Sequence, residues 1–573
     1  MDPLRIANCS GFYGDRFSAL REVVTDGPVD VVTGDYLAEL TLLILFRSRA
    51  KDPSRGYATT FLRQLEDVLG EIADRRICVV VNAGGLAPAA CADAVRALAE
   101  RLGVALPVAH VEGDDLLGRV PDLAISNLDT GEQLGERTPL TANAYLGAWG
   151  ITAALQAGAQ VVVTGRVTDA SLVVGPAAAR FGWARDDWDR LAGAVVAGHV
   201  LECGAQATGG NYSFVREEVE QPIRPGFPVA ELYGDGSSVI TKHRGTGGAV
   251  TVGTITAQLL YEIAGPAYAG PDVVTCFDTI ALEQQAPDRV RISGVRGGPP
   301  SGQVKVALNM LGGLRNRMEF VLTGLDVEGK AELALAGLRD AYPHPFEHRL
   351  VRLDRPDADT NEQAAALLEV NVSGSDPSVL GRAFSSAAVE LALASYPGFT
   401  LTSPPGDATP YGIYWPALVP AGEVEHVVVH ADGRREVIPH TPGGHPPHGV
   451  DGLIDQSRWA DSPTERLPLG TLIGARSGDK GGNANVGFWA RTDEAASWLL
   501  AWLDEAAFRA LLPEAHGLRV EVFPLANLRA VNVVVHGLLG EGVAASTRFD
   551  PQAKGLGEYL RSRYVDIPAT LLA

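Results

Sequence analysis

Short runs of apolar, β-branched residues recur along the first third of the chain. Each stops abruptly at glycine, asparagine or aspartate and gives way to helix-like spacing. LRIAN ends in Cys9-Ser10-Gly11, VDVVT in Gly34-Asp35, RICVVV in Asn82-Ala83-Gly84-Gly85 and QVVVT in Gly165-Arg166. Unalternated apolar runs predict strands buried on both faces, and their alternation with helices predicts an α/β fold with a mainly parallel sheet. The run LAELTLLILF (37–46) predicts a buried helix. Ligands of parallel sheets bind beyond the carboxyl ends of the strands. Ser10, Asp35, Asn82, Arg166 and Asp169 are therefore expected on one rim, where Gly84 and Gly85 let a ligand approach the backbone. The simpler alternative is that Gly and Asn merely end strands and Asp merely caps helices.

TGRVTDASLVVGP (164–176) carries the most chemistry of the four stops. A strand delivers Arg166 at its tip, and Asp169 follows at the start of the next helix. The pair either grips a carboxylate or phosphate beside an acid/base group, or is an ion pair that stitches the loop. Asp35, Arg166 and Asp169 are the candidate catalytic residues. In LECGAQATGGNY (201–212), Glu202 and Asn211 are candidate ligand contacts. In KHRGTGGAVTVGT (242–254), Lys242 and His243 open a glycine-rich turn suited to an anion. That turn lacks the GxxxxGK[ST] spacing of a phosphate loop, and no complete GxGxxG follows a strand, so nucleotide binding has little support.

HPFEH (344–348) spaces two histidines as a helical zinc pair would be, but Pro345 breaks the helix, and no metal site is expected. HTPGGHPPHG (440–449) reads as linker. The domain reading is an α/β domain over 1–450, with a sub-boundary near 200–240, a linker over 451–466, and an α+β domain over 467–573. In the last, strand, strand, helix, strand, strand, helix predicts a ferredoxin-like sandwich. ARSGDKGGNANVG (475–487) falls between its first two strands and is read as a long polar loop. Arg476, Asp479, Lys480 and Asn483 are its candidate anion contacts, and the loop is expected to close over the rim of the first domain. The helix expected over 493–512 carries Trp498, Leu499, Trp502 and Leu503, which suggests self-association or ordinary core packing.

Bulk composition narrows the function classes. The 573 residues carry a formal charge of -21, which repels nucleic acid and anionic lipid. Five scattered cysteines show no C-x-x-C spacing, and neither a signal segment nor an apolar run of membrane length is present. A cytoplasmic protein with reduced thiols and no redox cofactor is expected.

The stretches VNAGG, TGRVTDASLVVGP, ECGAQATGGNY, HRGTGGAVTVGTITAQLLYE and RSGDKGGNANVG occur in an order that resembles the acyclic terpene utilisation (AtuA-like) family over nearly the whole chain. The resemblance implies a large N-terminal domain, a ferredoxin-like C-terminal domain and a place in the catabolism of acyclic terpenoids. It points to a lyase or hydratase acting on a branched acyl-CoA or related carboxylate, with CoA as part of the substrate. The alternative is a non-catalytic binding or scaffold subunit of a carboxylase or hydratase complex. A homo-oligomer is expected in either case.

Overall fold

The computed structural model describes residues 2–444, 459 and 462–572. The expected linker 451–466 and the histidine-rich 445–449 therefore fall largely outside the described residues. The four strand stops behave as read. Strands β1 (Leu4–Asn8), β2 (Val31–Gly34), β3 (Cys78–Val81), β4 (Val108–Glu112) and β5 (Val161–Thr164) lie parallel in the order β1-β2-β3-β5-β4. Their valines are buried on both faces, each contributing about 1.5–3 kcal/mol of burial.

The sheet does not stay parallel. It is mixed, with eleven strands, of which the central five are parallel. On one side it is extended by β6 (Pro228–Leu232), β7 (Ser238–Lys242), β8 (Ala281–Ala286) and β9 (Arg289–Ser293) in the order β8-β9-β7-β6-β1. On the other, β10 (Val427–Val429) and β11 (Arg435–Val437) follow β4. Alternation explains the switch. RVRIS in β9 buries every second residue, the pattern of an antiparallel strand with one solvated face. The helix α1 (Glu39–Lys51) is half-buried rather than buried, with Leu42 and Leu45 inward and Leu40 and Ile44 exposed.

Packing divides the chain into residues 1–309 with 414–573, and residues 310–413. In the second unit, Leu314–Thr323 pairs antiparallel with Ala365–Gly374, and Phe320, Leu322, Leu338 and Phe384 are among the residues of its core. Its HPFEH stretch leads into the strand Glu347–Val351, so no helical histidine pair forms.

The C-terminal part is a four-stranded antiparallel sheet, β12 (Ile473–Lys480), β13 (Asn483–Ala490), β14 (Val520–Leu525) and β15 (Ala530–Val535), in the order β12-β13-β15-β14. Three helices cover one face: α2 (Asp493–Trp502), α3 (Glu505–Leu511) and α4 (Leu556–Arg561). The single helix expected over 493–512 is two, because the Asp504 side chain accepts from Ala507 N at 2.8 Å and starts a new one. Trp498, Leu499 and Leu503 are buried in this domain's own core, and Trp502 stacks on Trp498.

The polar stretch ARSGDKGGNANVG corrects the sequence reading most. Residues 476–483 are not a long loop. They are the end of β12, the two-residue turn Gly481-Gly482 and the start of β13, with Lys480 paired to Asn483. Gly481 has φ +65° and Gly482 does not share that sign, the pattern of a type II′ hairpin. Polarity here reflects what the second sheet face meets. Alternate residues point away from the helices toward Leu260–Ala264, the segment that follows the helix Val252–Leu259. Gly487 lies against Leu260, and a Cβ on Gly478 would stand 2.5 Å from Tyr261 Cε2. Asn485 Oδ1 accepts from Glu262 N at 2.7 Å, and Asn532 Nδ2 donates to the Ile263 and Ala264 carbonyls.

Gly478→Ala and Gly487→Ala are each expected to cost about 1–3 kcal/mol by overpacking this face, read as a lower urea midpoint. Gly70→Ala, on an exposed helix position with nothing within 4 Å of the added carbon, should be neutral or gain up to about 1 kcal/mol. Equal behaviour of all three would show that the docked face has slack.

Candidate active site

Three strand ends build the rim. Asp35 follows β2, Asn82 follows β3 and Arg166 follows β5. Asn82 Nδ2 donates to Asp35 Oδ1 at 2.5 Å, and its Oδ1 accepts from Tyr36 N at 2.7 Å. Arg166 donates to the Leu37 carbonyl at 3.0 Å and to Asp169 Oδ1 at 2.9 Å, while its buried Nε has no partner among the described residues. Burial pushes the Asp35 carboxyl well above the usual range, Asp169 adds to the rise, and Arg166 opposes it. Burial also disfavours the Arg166 charge, but Asp169, Tyr145 and Asp35 outweigh it and hold the guanidinium protonated.

From this rim a stack of cations and phenol rings leads to the hairpin. The Arg166 guanidinium lies 4.1 Å from the Tyr145 ring centre, and Lys305 Nζ is 4.9 Å from that ring and 5.6 Å from the Tyr414 ring. Lys305 also stands 3.5 Å from Glu39 Oε1. A Cβ on Gly481 would sit 3.1 Å from Tyr414 Cε1, so the turn of the β12–β13 hairpin rests on this ring. Next along, Lys480 Nζ donates to the Glu262 carbonyl at 2.8 Å and lies 5.5 Å from the Tyr268 ring centre. Lys554 Nζ bonds Glu262 Oε1 at 3.0 Å and stands 3.5 Å from Asp479. Glu202 approaches from the end of the helix Trp188–Glu202, its Oε1 2.9 Å from His199 Nδ1.

These groups share one electrostatic field. Burial raises the Glu262 carboxyl well above its ordinary range, with Asp479 adding and Lys480 opposing. Burial raises Glu202 as well, opposed by His199. Asp479 is pushed up to about 7 by burial and Glu39, and Lys480 is lowered by burial and Lys305. The chamber thus holds fixed cations beside carboxyl groups that burial makes weaker acids, a setting suited to acid–base work on an anionic ligand.

Sequence reading placed Asp35, Asn82, Arg166, Asp169, Glu202, Asp479 and Lys480 in or beside this chamber. Other candidates are used differently. Ser10 Oγ donates to the Phe12 carbonyl, closing its own turn. Gly84 leaves room for the Thr164 carbonyl and Pro88, and Gly85 for Leu45, so both serve chain packing; Gly85 also borders a cleft of about 340 Å³ with Asp114 and Asn143. Asn211 is an exposed turn residue at φ +58°. Lys242 is taken up by the Thr246 carbonyl at 2.8 Å and Asp288 at 3.1 Å, and His243 by the Val23 carbonyl at 3.0 Å. Arg476 stacks on Tyr261 and bonds Gln206, and Asn483 ties Asp129 to Gly537 N, so both dock the sheet.

Tyr145, Lys305, Glu39, Glu262, Tyr268, Tyr414 and Lys554 escaped the sequence reading. Lys305 left one signal, a lysine inside the otherwise apolar VKVAL, and Glu262 closes the LLYE of a stretch already singled out.

Fold and site together define a mixed α/β protein whose C-terminal antiparallel sheet packs Asp479 and Lys480 against buried charged groups near the strand ends of a larger sheet. Residues 4–430 match the acyclic terpene utilisation family protein AtuA, and residues 467–566 match the AtuA ferredoxin-like domain. The chain belongs to the acyclic terpene utilisation family AtuA. No curated protein and no solved structure matches it. Among the described residues, no helix is long and apolar enough to cross a membrane.

Asp114 yields a pH prediction. Its Oδ2 accepts from Arg166 N and Asn143 Nδ2, both at 2.8 Å, and burial raises its pKa from 3.8 to about 7. The folded state therefore keeps a proton that the unfolded chain has already lost. This stabilisation is full below the unfolded value of 3.8 and disappears as pH rises to about 7. Asp114→Asn should flatten the fall in urea midpoint across that window, and an unchanged slope would rule the group out.

Proposed function

We propose that this protein is a catabolic lyase or hydratase acting on a branched or terpenoid acyl-CoA, or on the related free carboxylic acid. The observation that carries this reading is the pair of cations Arg166 and Lys305 on the Tyr145 ring, with Asp169 bonded to Arg166 and with Glu202 and Glu262 near by as carboxyls that burial makes weaker acids. Addition or removal of water next to a thioester, like cleavage of the adjacent carbon–carbon bond, builds negative charge on the carbonyl oxygen. It also needs one group to take a proton and another to give one. Arg166 offers an unpartnered Nε and Lys305 a second cation for that oxygen. Asp169 reaches solvent in part and is oriented by Arg166, which suits it as the base. Asp35 and Asn82 position the loop that holds the arginine.

The rival reading, a scaffold that docks a carboxylase or hydratase through its C-terminal domain, is less favoured. The sheet face and hairpin available for such docking are already occupied by the chain's own Leu260–Ala264 and Tyr414. Membership of a terpene utilisation family supports a catabolic role.

Purified protein should bind and turn over at least one member of a mass-spectrometric panel of branched 3-hydroxyacyl and enoyl thioesters. Asp169→Asn should keep the far-ultraviolet spectrum and melting temperature while lowering turnover by about 10²–10⁴-fold. A panel with neither binding nor turnover would sink the proposal. Unchanged turnover in Asp169→Asn would remove that residue as the base.

A further inference from the structure

We infer that Lys480 is a reactive amine that condenses with the carbonyl carbon of a keto or aldehyde acid to form an imine. The inference rests on the chamber being the active site and adds a covalent step to it. Three features of the lysine's surroundings point this way. First, Lys480 lacks the partner its neighbours have. Lys305 stands beside Glu39 and Lys554 bonds Glu262, whereas among the described residues Lys480 has no ion pair, and its hydrogen bond goes to the neutral main-chain carbonyl of Glu262. A main-chain carbonyl can accept from a neutral amine as well as from an ammonium, so it does not demand the charge as a carboxylate would.

Second, the amine is fixed. It stands at the last residue of β12, whose pairing with Asn483 and tight Gly481-Gly482 turn leave the strand end little freedom. It lies above the Tyr268 ring, half-buried, so that solvent reaches it only in part. Third, a second cation faces it. Lys305 is the like charge that, together with burial, works against protonation and outweighs Glu262, Glu202 and Glu39, which favour it. A desolvated lysine next to another cation is a recognised way to make a nucleophilic amine near neutral pH.

The step balances without an oxidant or reductant. The Nζ lone pair attacks the carbonyl carbon, and the carbonyl oxygen leaves as water, its two protons coming in net from the two N–H bonds of the neutral amine. A further proton from Glu202 or Glu262 turns the imine into an iminium ion. That cation draws electrons from the neighbouring carbon–carbon bond to the carboxylate, which breaks to release carbon dioxide and leave an enamine. The ligand class is a short 3-oxo or branched keto acid, whose carboxylate would meet Lys305 and Arg166.

Reductive trapping tests this directly. The full-length protein is incubated with acetoacetate and sodium cyanoborohydride, and the alkylated lysine is located by peptide mass spectrometry. One saturable equivalent on Lys480, formed faster than any label on the exposed Lys51 and lost in Lys480→Arg, is the expected result. No label on Lys480 in the folded wild-type protein, or label spread evenly over exposed lysines, overturns the inference. Should Lys480→Arg fail to fold, the wild-type labelling map still decides. Acyl-CoA turnover without trapping would discard the imine and keep the proposed reaction class. Trapping without any acyl-CoA turnover would do the reverse.

Discussion

Everything in the site depends on how a five-residue segment, Leu260–Ala264, lies against the open face of the C-terminal sheet. A four-stranded sheet with helices on one side leaves its other face to be covered, and here the cover is backbone. Main-chain groups brought into contact with a sheet need hydrogen-bond partners and close approach. Asn485 and Asn532 supply the bonds, and Gly478 and Gly487 supply the approach. One result is a Glu262 held at φ +56°, a conformation that non-glycine residues adopt at some cost and that the Asn485 bond helps to maintain. With its backbone so fixed, Glu262 offers its carbonyl to Lys480 and its carboxyl to Lys554.

The second constraint is electrostatic. Arg166 and Lys305 lie close enough to repel, and the Tyr145 ring offers an electron-rich face to each of them. Tyr414 offers another such face toward the hairpin turn. Burial makes Asp35, Glu202 and Glu262 around the stack weaker acids than they would be in water. The chamber's acid–base capacity is therefore a product of packing.

Local sequence grammar revealed the strand ends well, because an apolar β-branched run that halts at Gly or Asn has few other meanings. Asp35, Asn82, Arg166 and Asp169 were legible for that reason. The antiparallel extensions of the sheet were harder to see, since a half-buried strand such as Arg289–Ser293 alternates apolar with charged residues and carries no continuous apolar run, even though it pairs with its sequence neighbour Ala281–Ala286. RSGDKGGNANVG misled for a physical reason. Glycine, asparagine and charge signify a loop when solvent is the neighbour, yet they also suit a strand whose neighbour is another backbone. Lys305 and Tyr145 were hidden because nothing nearby in the chain reports that two distant segments will stack them. Lys242 and His243 formed the opposite case, a sequence cluster whose partners are its own loop and a helix carbonyl.

Glu262 and Lys480 belong to different domains, and each fixes the other. The boundary between the two family modules is thus no boundary for the chemistry, since neither piece carries the acid–base chamber alone. Expressed as two polypeptides, the halves would behave as a complementation pair, inert apart and competent once Leu260–Ala264 has found the sheet. Gene fission, proteolytic nicking that separates the pieces, and incomplete synthesis would all then have the same outcome: Glu262 parted from Lys480 and Lys554.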